Sequence, residues 1–467
     1  MPAAMKQYLL LGASVVLALV ILAIPVPEGL APEAWQLFAV FAATISAVIT
    51  GAAPILLASI LGLVAAIALD VLDPDIAYSG FSEGFILLIV MAFLVGRAVV
   101  NSGLGARIGF LLVKRFGHSS LGLAYSMVAT DALIAPAFPS NTARSGVLYP
   151  IVYSLAESFR SHPWEDSRFE LGAYLMLCSM AGLGLSSGLW LTAMAANPVG
   201  VAMVAERGLE ITFGSWFLAS SVPTITAMIV VPYLLYRVFP PRLKTTPEAP
   251  AAAAEQLRLK GPMSTGEWIT LLTFGGMVLG WALAGLIGLD ATAIAFLGLA
   301  VLMLGKVFTL DDLKNSGDAL ETLIWFAILY TLSTELDRLG FMAWAGDQLG
   351  SLVAGFSWPL TYALLIAVYV LIHYMFVSQT AHLLALFGVF LSLSQPEVPL
   401  PLMAMMLLLA TNFFSVLTPQ ASSCNVIFVG SGYLTGGEVY RYGGLVTAVC
   451  LLIFLLIGSP WIILVLG

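Results

Sequence analysis

Pro136-Ala137-Phe138-Pro139-Ser140-Asn141-Thr142-Ala143-Arg144 and Phe376-Val377-Ser378-Gln379-Thr380-Ala381-His382 decide how this chain folds. Each lies in the middle of an apolar stretch, 120–156 and 358–392, that is too long for a single membrane crossing of about 20 residues. In the first stretch Pro136 and Pro139 stop the entering helix, because proline lacks the N–H and clashes with the preceding turn. Ser140, Asn141 and Thr142 then supply side chains that cap a restarting helix. Both stretches are therefore expected to be re-entrant hairpins that enter and leave on one side. A helix restarting at such a tip aims its N-terminal amides and dipole at the tip, which attracts carboxylates and phosphates. Two tips arriving from opposite faces make two anion cradles, which suits a substrate with two carboxylates.

The rest of the chain agrees with a membrane setting. Of its 467 residues 60% are apolar and only 9% charged, against roughly a quarter charged in soluble domains. Mean hydropathy is +1.00. Too few charges exist to cover a wetted surface, which excludes a soluble enzyme, a nucleic-acid binder and a disordered scaffold. The net charge of −8 says little, because the place of each charge relative to the bilayer matters more than the sum. Cys178, Cys424 and Cys450 are far apart in apolar surroundings, with neither disulfide nor metal spacing. The first apolar run, Tyr8 to Ile24, lacks a small-x-small cleavage site and reads as an uncleaved helix.

Eleven transmembrane helices are expected, near 8–25, 34–50, 52–70, 81–100, 171–192, 213–236, 267–286, 290–305, 319–336, 399–417 and 442–464, so the fold class is an all-α polytopic membrane protein. Basic residues test this arrangement independently. With the N-terminus cytoplasmic, only Arg207 and Arg338 fall outside, Arg97 and Arg144 lie within apolar segments, and every other Lys and Arg is inside, as the positive-inside rule requires. The C-terminus is then outside, in the inner membrane of a cell.

The polar, Pro/Ala-rich stretch 241–266 reads as a flexible cytoplasmic linker. It separates a first half, residues 34–240 after the N-terminal helix of 1–33, from a second half, 267–467. The halves share an offset of 238: Ser140 falls on Ser378, Glu83 on Glu321, Arg97 on Glu335 and Arg144 on His382. Farther on, Leu191-Thr192 before Asn197-Pro198 faces Leu417-Thr418-Pro419 at an offset of 226. Five spans and one hairpin per half make the second repeat inverted, an arrangement that puts a transporter's site near the midplane.

Ser140-Asn141-Thr142 in one hairpin, Ser378-x-Thr380 in the other, and Thr418-Pro419 ahead of Val429-Gly430-Ser431-Gly432-Tyr433 resemble the divalent-anion/sodium symporter (DASS) family, from about residue 34 to the C-terminus. The resemblance implies an elevator transporter with scaffold and transport domains, a homodimer, carrying di- or tricarboxylates. It also implies that Asn141, Thr142 and Thr380 grip the substrate's carboxylates. Gln379 departs from the family's usual Asn by one methylene, which puts the second carboxylate contact in question.

Arg144 and His382 each follow their motif serine by four residues. A guanidinium within the membrane is costly and marks function. A cationic group beside each tip would neutralise the substrate without sodium and hinder return of the empty carrier, giving obligate exchange. The strings around both residues also resemble the family's exchanger branch, which includes 2-oxoglutarate/malate, citrate/succinate and tartrate/succinate antiporters. On this reading no cofactor is needed, and Na+ enters only under the alternative of a sodium-coupled symporter. Partners are small carboxylate anions and membrane lipid, with no nucleic acid.

Thr192 and Asn197, with Thr418 and Pro419, are assigned to two loops completing the site. Gly182, Gly184 and Gly188 would let helices approach closely. His373 reads as structural, Met403-Ala404-Met405-Met406 as packing or lipid-facing surface, Arg97 and Glu335 as snorkelling groups or an ion pair, and Asp131 as needing a basic partner. An intramembrane enzyme is disfavoured: polar residues spread symmetrically over two repeats, and neither HExxH nor GxSxG occurs. A channel is disfavoured because paired tips close a pathway.

Overall fold

A computed structural model describes residues 3–350, 355–393 and 398–467. Among these residues the backbone is helical with turns, and the only β pairing is an isolated bridge between Ser119 and Thr245. In a lipid setting that follows from the backbone itself, since helices satisfy every N–H and C=O within one segment. Among the described residues, ten helices are long and apolar enough to cross a membrane. The protein is an integral, multi-pass membrane protein.

Every expected span falls on a helix. Those at 52–70, 290–305 and 399–417 fall on shorter ones, Ile55–Ala68, Ala291–Leu304 and Leu400–Val416. The first two have 14 residues each, or about 21 Å at 1.5 Å per residue. The ten long helices instead include the entering arms of the two hairpins, Ser120–Ala137 and Trp358–Met375.

The order of elements runs twice. A long helix (Gly84–Ser102; Gly317–Arg338) leads to a short one (Leu104–Phe116; Phe341–Gly350). The hairpin follows: entering arm (Ser120–Ile134; Trp358–Ile372), a three-residue 3-10 turn (Ala135–Ala137; His373–Met375) and leaving arm (Asn141–Ser158; Gln379–Leu393). Next comes a broken helix, Gly172–Leu189 then Ala196–Ala205 in the first half, Leu400–Phe413 then Ser423–Gly430 in the second. Hydrogen bonds repeat too. Asn197 Nδ2 donates to the carbonyls of Ser187 (3.0 Å) and Trp190 (3.3 Å). Asn425 Nδ2 donates to those of Ser415 (2.7 Å) and Thr418 (3.0 Å). Both asparagines thus close the break through carbonyls ten and seven residues back. This pairs Asn197 with Asn425 and shifts the register of this loop from 226 to 228, so Thr418 matches Trp190 and not Thr192.

The two broken helices pack closely. A Cβ on Gly184 would lie 2.0 Å from Ser415 Oγ, which is why a residue without a side chain stands there. Met403, Ala404, Met405 and Met406 are fully buried in this packing.

The stretch read as a flexible linker is a structured strap. Residues Ala249–Lys260 form a helix, started by Pro250 in its first turn and carried by an alanine run. Its small residues Ala249 and Ala253 are buried, and the helix packs on Leu104–Phe116. Thr246 donates to Gly117 O (2.7 Å) and Thr246 N to His118 O (2.9 Å). Arg107 bonds Glu267 through both carboxylate oxygens (2.7 and 2.9 Å) and the carbonyl of Gly261 (3.0 Å). Of the two readings for Glu335, an ion pair with Arg97 or a snorkelling group, the first is not what forms: Glu335 pairs with Arg338 at 2.6 Å.

Candidate substrate site

The hairpin tips meet. Asn141 Nδ2 donates to Gln379 Oε1 at 3.2 Å, joining two residues that are 238 apart and equivalent in the repeat. Around them is a cavity of about 630 Å³. Ser140, Asn141, Thr142, Ser378, Gln379 and Thr380 line it, together with Pro139, Met194, Ala195, Ser422 and Ser423. Helices of 18, 15, 10 and 8 residues begin at Asn141, Gln379, Ala196 and Ser423. Four N-terminal dipole ends thus converge on one space. Ser140 Oγ caps the first by accepting from Ala143 N (3.3 Å), and Ser378 Oγ does the same for Ala381 N (3.2 Å). Thr142 Oγ1 and Ser423 Oγ lie 2.6 Å apart, tying the first tip to the second broken helix. The arrangement can hold anions by backbone amides and small hydroxyls alone, as helix N-termini do.

Arg144 is not in the cavity. It is fully buried behind the first tip, where its guanidinium donates to Asp131 Oδ2 (2.8 Å), Ser186 Oγ (2.7 Å), Asn141 Oδ1 (2.5 Å), Leu183 O (3.1 Å) and Ser187 Oγ. Asp131 therefore has its basic partner, 13 residues away on the opposite arm. The expectation that Arg144 contacts the substrate directly is corrected: the ion pair with Asp131 keeps the charge inside the hairpin, and Arg144 acts on the cavity through Asn141. Arg144 holds the amide oxygen of Asn141, which leaves the NH₂ of that amide to face the tips.

His382, the counterpart of Arg144, is also fully buried and outside the cavity. Its Nδ1 lies 3.3 Å from His373 Nδ1, and its ring meets Tyr369 edge-on at 4.3 Å. Tyr369 is the counterpart of Asp131 (131 + 238). The buried ion pair of the first hairpin is thus replaced in the second by packed rings. His373 stacks on Phe414 at 3.7 Å and places Nε2 2.9 Å from Ala421 O. With Nε2–H donating to that carbonyl, His373 Nδ1 is the acceptor and His382 Nδ1–H the donor.

Thr192, Asn197, Thr418 and Pro419 also lie outside the cavity. Thr192, Asn197 and Thr418 build its supports. Thr192 Oγ1 donates to Pro136 O (2.9 Å), and Ala195 N to Pro139 O (2.9 Å), holding the first tip against the broken helix. Asn197 Oδ1 accepts from Asn412 Nδ2 at 2.8 Å, linking the two breaks. Thr418 supplies a carbonyl to Asn425. Met194, Ala195, Ser422 and Ser423 belong to the two loops assigned to the site and do reach the cavity; sequence reasoning missed Phe93, Asp318, Glu321 and Trp325, which line it from the helices Gly84–Ser102 and Gly317–Arg338.

Residues 5–467 match the family model described as the sodium:sulfate symporter transmembrane region. The chain belongs to this family, the divalent-anion/sodium symporters. These are transporters, not enzymes. The chain is 38% identical to dicarboxylate transporter 2, chloroplastic, of Spinacia oleracea, over 94% of this chain and 79% of that protein. It is 32% identical to the L-tartrate/succinate antiporter of Shigella sonnei (strain Ss046), over 95% of each. The YdaH transporter of Alcanivorax borkumensis shares the fold, with a TM-score of 0.58 at 14% identity, covering 98% of this chain and 97% of that one.

Within this DASS chain the extra methylene of Gln379 has a structural use. Its Nε2 donates to Thr411 O at 2.7 Å while its Oε1 accepts from Asn141. An Asn side chain is too short to span both. Gln379→Asn is therefore expected to lose one of the two bonds, lowering transport about fivefold for a bond worth about 1 kcal/mol. Initial uptake rates of the variant and the unmodified protein in proteoliposomes check this.

Proposed function

We propose that the protein exchanges dicarboxylate anions across the cytoplasmic membrane without sodium coupling. The observation that carries this is the filling of the space behind each tip by protein N–H groups. Behind the first, Arg144 occupies the centre of an oxygen set formed by Asp131, Asn141, Leu183, Ser186 and Ser187. Oxygens so arranged would otherwise suit a small cation. Behind the second, Gln379 Nε2 takes Thr411 O, the counterpart of Leu183 O (183 + 228). A built-in cation does the work of sodium in ordering the first tip.

Asp131 neutralises Arg144, so the barrier to return of the empty carrier lies at the tips themselves. Each helix N-terminus carries about half a positive charge. An empty cavity would take four such ends past apolar surroundings, while a bound dianion neutralises them. Movement without substrate is disfavoured, and exchange follows. The names of the spinach and Shigella relatives support carboxylates as the cargo.

The movement we propose is an elevator, with the hairpins and broken helices carried past the remaining helices in a homodimer. Under the positive-inside topology, Pro54, Asp318 and Glu321 at the cavity mouth are cytoplasmic, so this conformation faces inward. The two hairpins are then re-entrant from opposite sides and the repeats inverted.

Purified protein in liposomes tests the reading. Labelled succinate should enter only vesicles preloaded with a dicarboxylate, at a rate unaffected by replacing sodium with choline. Robust sodium-driven uptake into empty vesicles would overturn it.

A further inference from the structure

The part of the cavity lining supplied by helix Gly317–Arg338 carries a sign that an anion site would not lead one to expect. Among the described residues lining the cavity, the charged ones are Asp318 and Glu321; no Lys, Arg or His reaches it. Both stand in the first two turns of helix Gly317–Arg338, three residues apart and hence on one face. Both are exposed, and among the described residues neither is paired with a base. The helix dipole accounts for Asp318, which stands in the first turn. It does not account for Glu321, a turn farther in. Glu321 also lies 238 residues after Glu83, the separation of the bonded tip residues Asn141 and Gln379. Glu83 stands immediately before helix Gly84–Ser102, at its N-cap position but without a side-chain cap bond, and Phe93 of that helix lines the same cavity.

We infer that Asp318 and Glu321 form a charge filter that admits dianions and rejects trianions, and that Glu83 serves the same purpose when the cavity opens on the other side. The inference rests on the proposed carboxylate reading. A dianion places both carboxylates at the tips, where helix N-termini neutralise them. The four half-charges sum to about two positive charges, which a dianion already neutralises, so a third carboxylate finds no balancing charge and meets the acidic wall. Screening shortens charge interactions in a wetted space to about 8–10 Å. The wall therefore acts on a third carboxylate far more than on the two at the tips. Discrimination comes from repelling the wrong anion, without any added attraction for the right one.

Proteoliposomes preloaded with succinate and supplied with labelled succinate test this, with unlabelled succinate, citrate or tricarballylate as competitors at mildly alkaline pH and low salt. The unmodified protein should be inhibited much more strongly by succinate than by either trianion. D318N/E321Q should narrow that gap about tenfold, the effect of removing two charges that lie within a screening length of the third carboxylate, and E321K should narrow it further. E321Q alone should shift it in the same direction. Raising the ionic strength should narrow the gap in the unmodified protein and leave the double variant unmoved, which a steric cause would not do. An unchanged gap in D318N/E321Q and E321K, or citrate competing as well as succinate in the unmodified protein, would overturn the filter. Lack of any succinate exchange by the unmodified protein would instead overturn the carboxylate reading.

Discussion

Arg144→Ala is expected to abolish exchange and to lower stability by about 3–5 kcal/mol, the cost of leaving one half of a buried ion pair without its partner. Both side chains of the Arg144–Asp131 pair are fully buried, 2.8 Å apart. Removal of the guanidinium leaves the Asp131 carboxylate, Asn141 Oδ1 and the carbonyl of Leu183 without the donor they share. Asn141 Oδ1 then keeps only the Ser187 hydroxyl as donor (2.6 Å), so its amide is held less firmly and the tip contact to Gln379 weakens. Thermal unfolding in detergent reads the stability loss, and counterflow in liposomes reads the exchange. Arg144→Lys should be only partly restored, because an ammonium cannot reproduce the planar fork that reaches five partners at once. Asp131→Asn/Arg144→Gln, with no net buried charge, should recover much of the stability and none of the exchange. Full transport by Arg144→Ala would remove Arg144 from any part in the site. A return of uptake by Arg144→Ala in sodium but not choline buffer would identify the vacated oxygens as a cation site that the guanidinium normally fills.

The position of Arg144 marks how far the sequence could be read. The tips were legible because their signals are local: prolines that end a helix and Ser/Asn/Thr that restart one within a few residues. The residues that line the cavity at both tips follow directly from those strings. Where Arg144 points was not legible. Its partners come from the opposite arm of its hairpin and from Leu183, Ser186 and Ser187 on a separate helix, and no local pattern encodes that meeting. A guanidinium in an apolar segment signals a partner, and Asp131 is the only acid within the stretch 120–156, but the proximity of Arg144 to the tip suggested substrate. His382 had the same ambiguity, resolved by Tyr369, His373 and Phe414 closing around its ring. Composition also misread the strap at 241–266: an alanine run beside prolines and charges reads as a tether until a matching helix, Leu104–Phe116, offers its face. The register of the broken helices was misread for a related cause. Leu-Thr strings recur by chance in apolar sequence, whereas the asparagines that close each break are matched through backbone carbonyls visible only in three dimensions.

Those asparagines give the second large expectation. Asn197→Ala and Asn425→Ala should each destabilise the protein by about 2–6 kcal/mol, because each strands two buried carbonyls at a break, at roughly 1–3 kcal/mol apiece. Both asparagines are fully buried. Each donates to carbonyls ten and seven residues back, so the break stays open at one fixed width. Exchange should fall by more than the loss of stability explains, since Ala195 and Ser423 at the cavity wall are placed by these same turns. The isosteric change to Asp separates hydrogen bonding from packing. Asn425→Asp keeps the shape but sets carboxylate oxygens against the carbonyls of Ser415 and Thr418, and it should be at least as damaging as Ala. Asn197→Ala should be the more severe of the two alanine variants, because Asn197 also accepts from Asn412 and holds the two breaks together. A double-mutant cycle between positions 197 and 412 should therefore show coupling, and one between 412 and 425 should show little. Tolerance of Asn425→Ala alongside collapse of Asn197→Ala would end the equivalence of the two breaks. Comparable losses at both positions would mean that one physical device, an asparagine amide bridging a broken helix, supports the substrate cavity from each half of the chain.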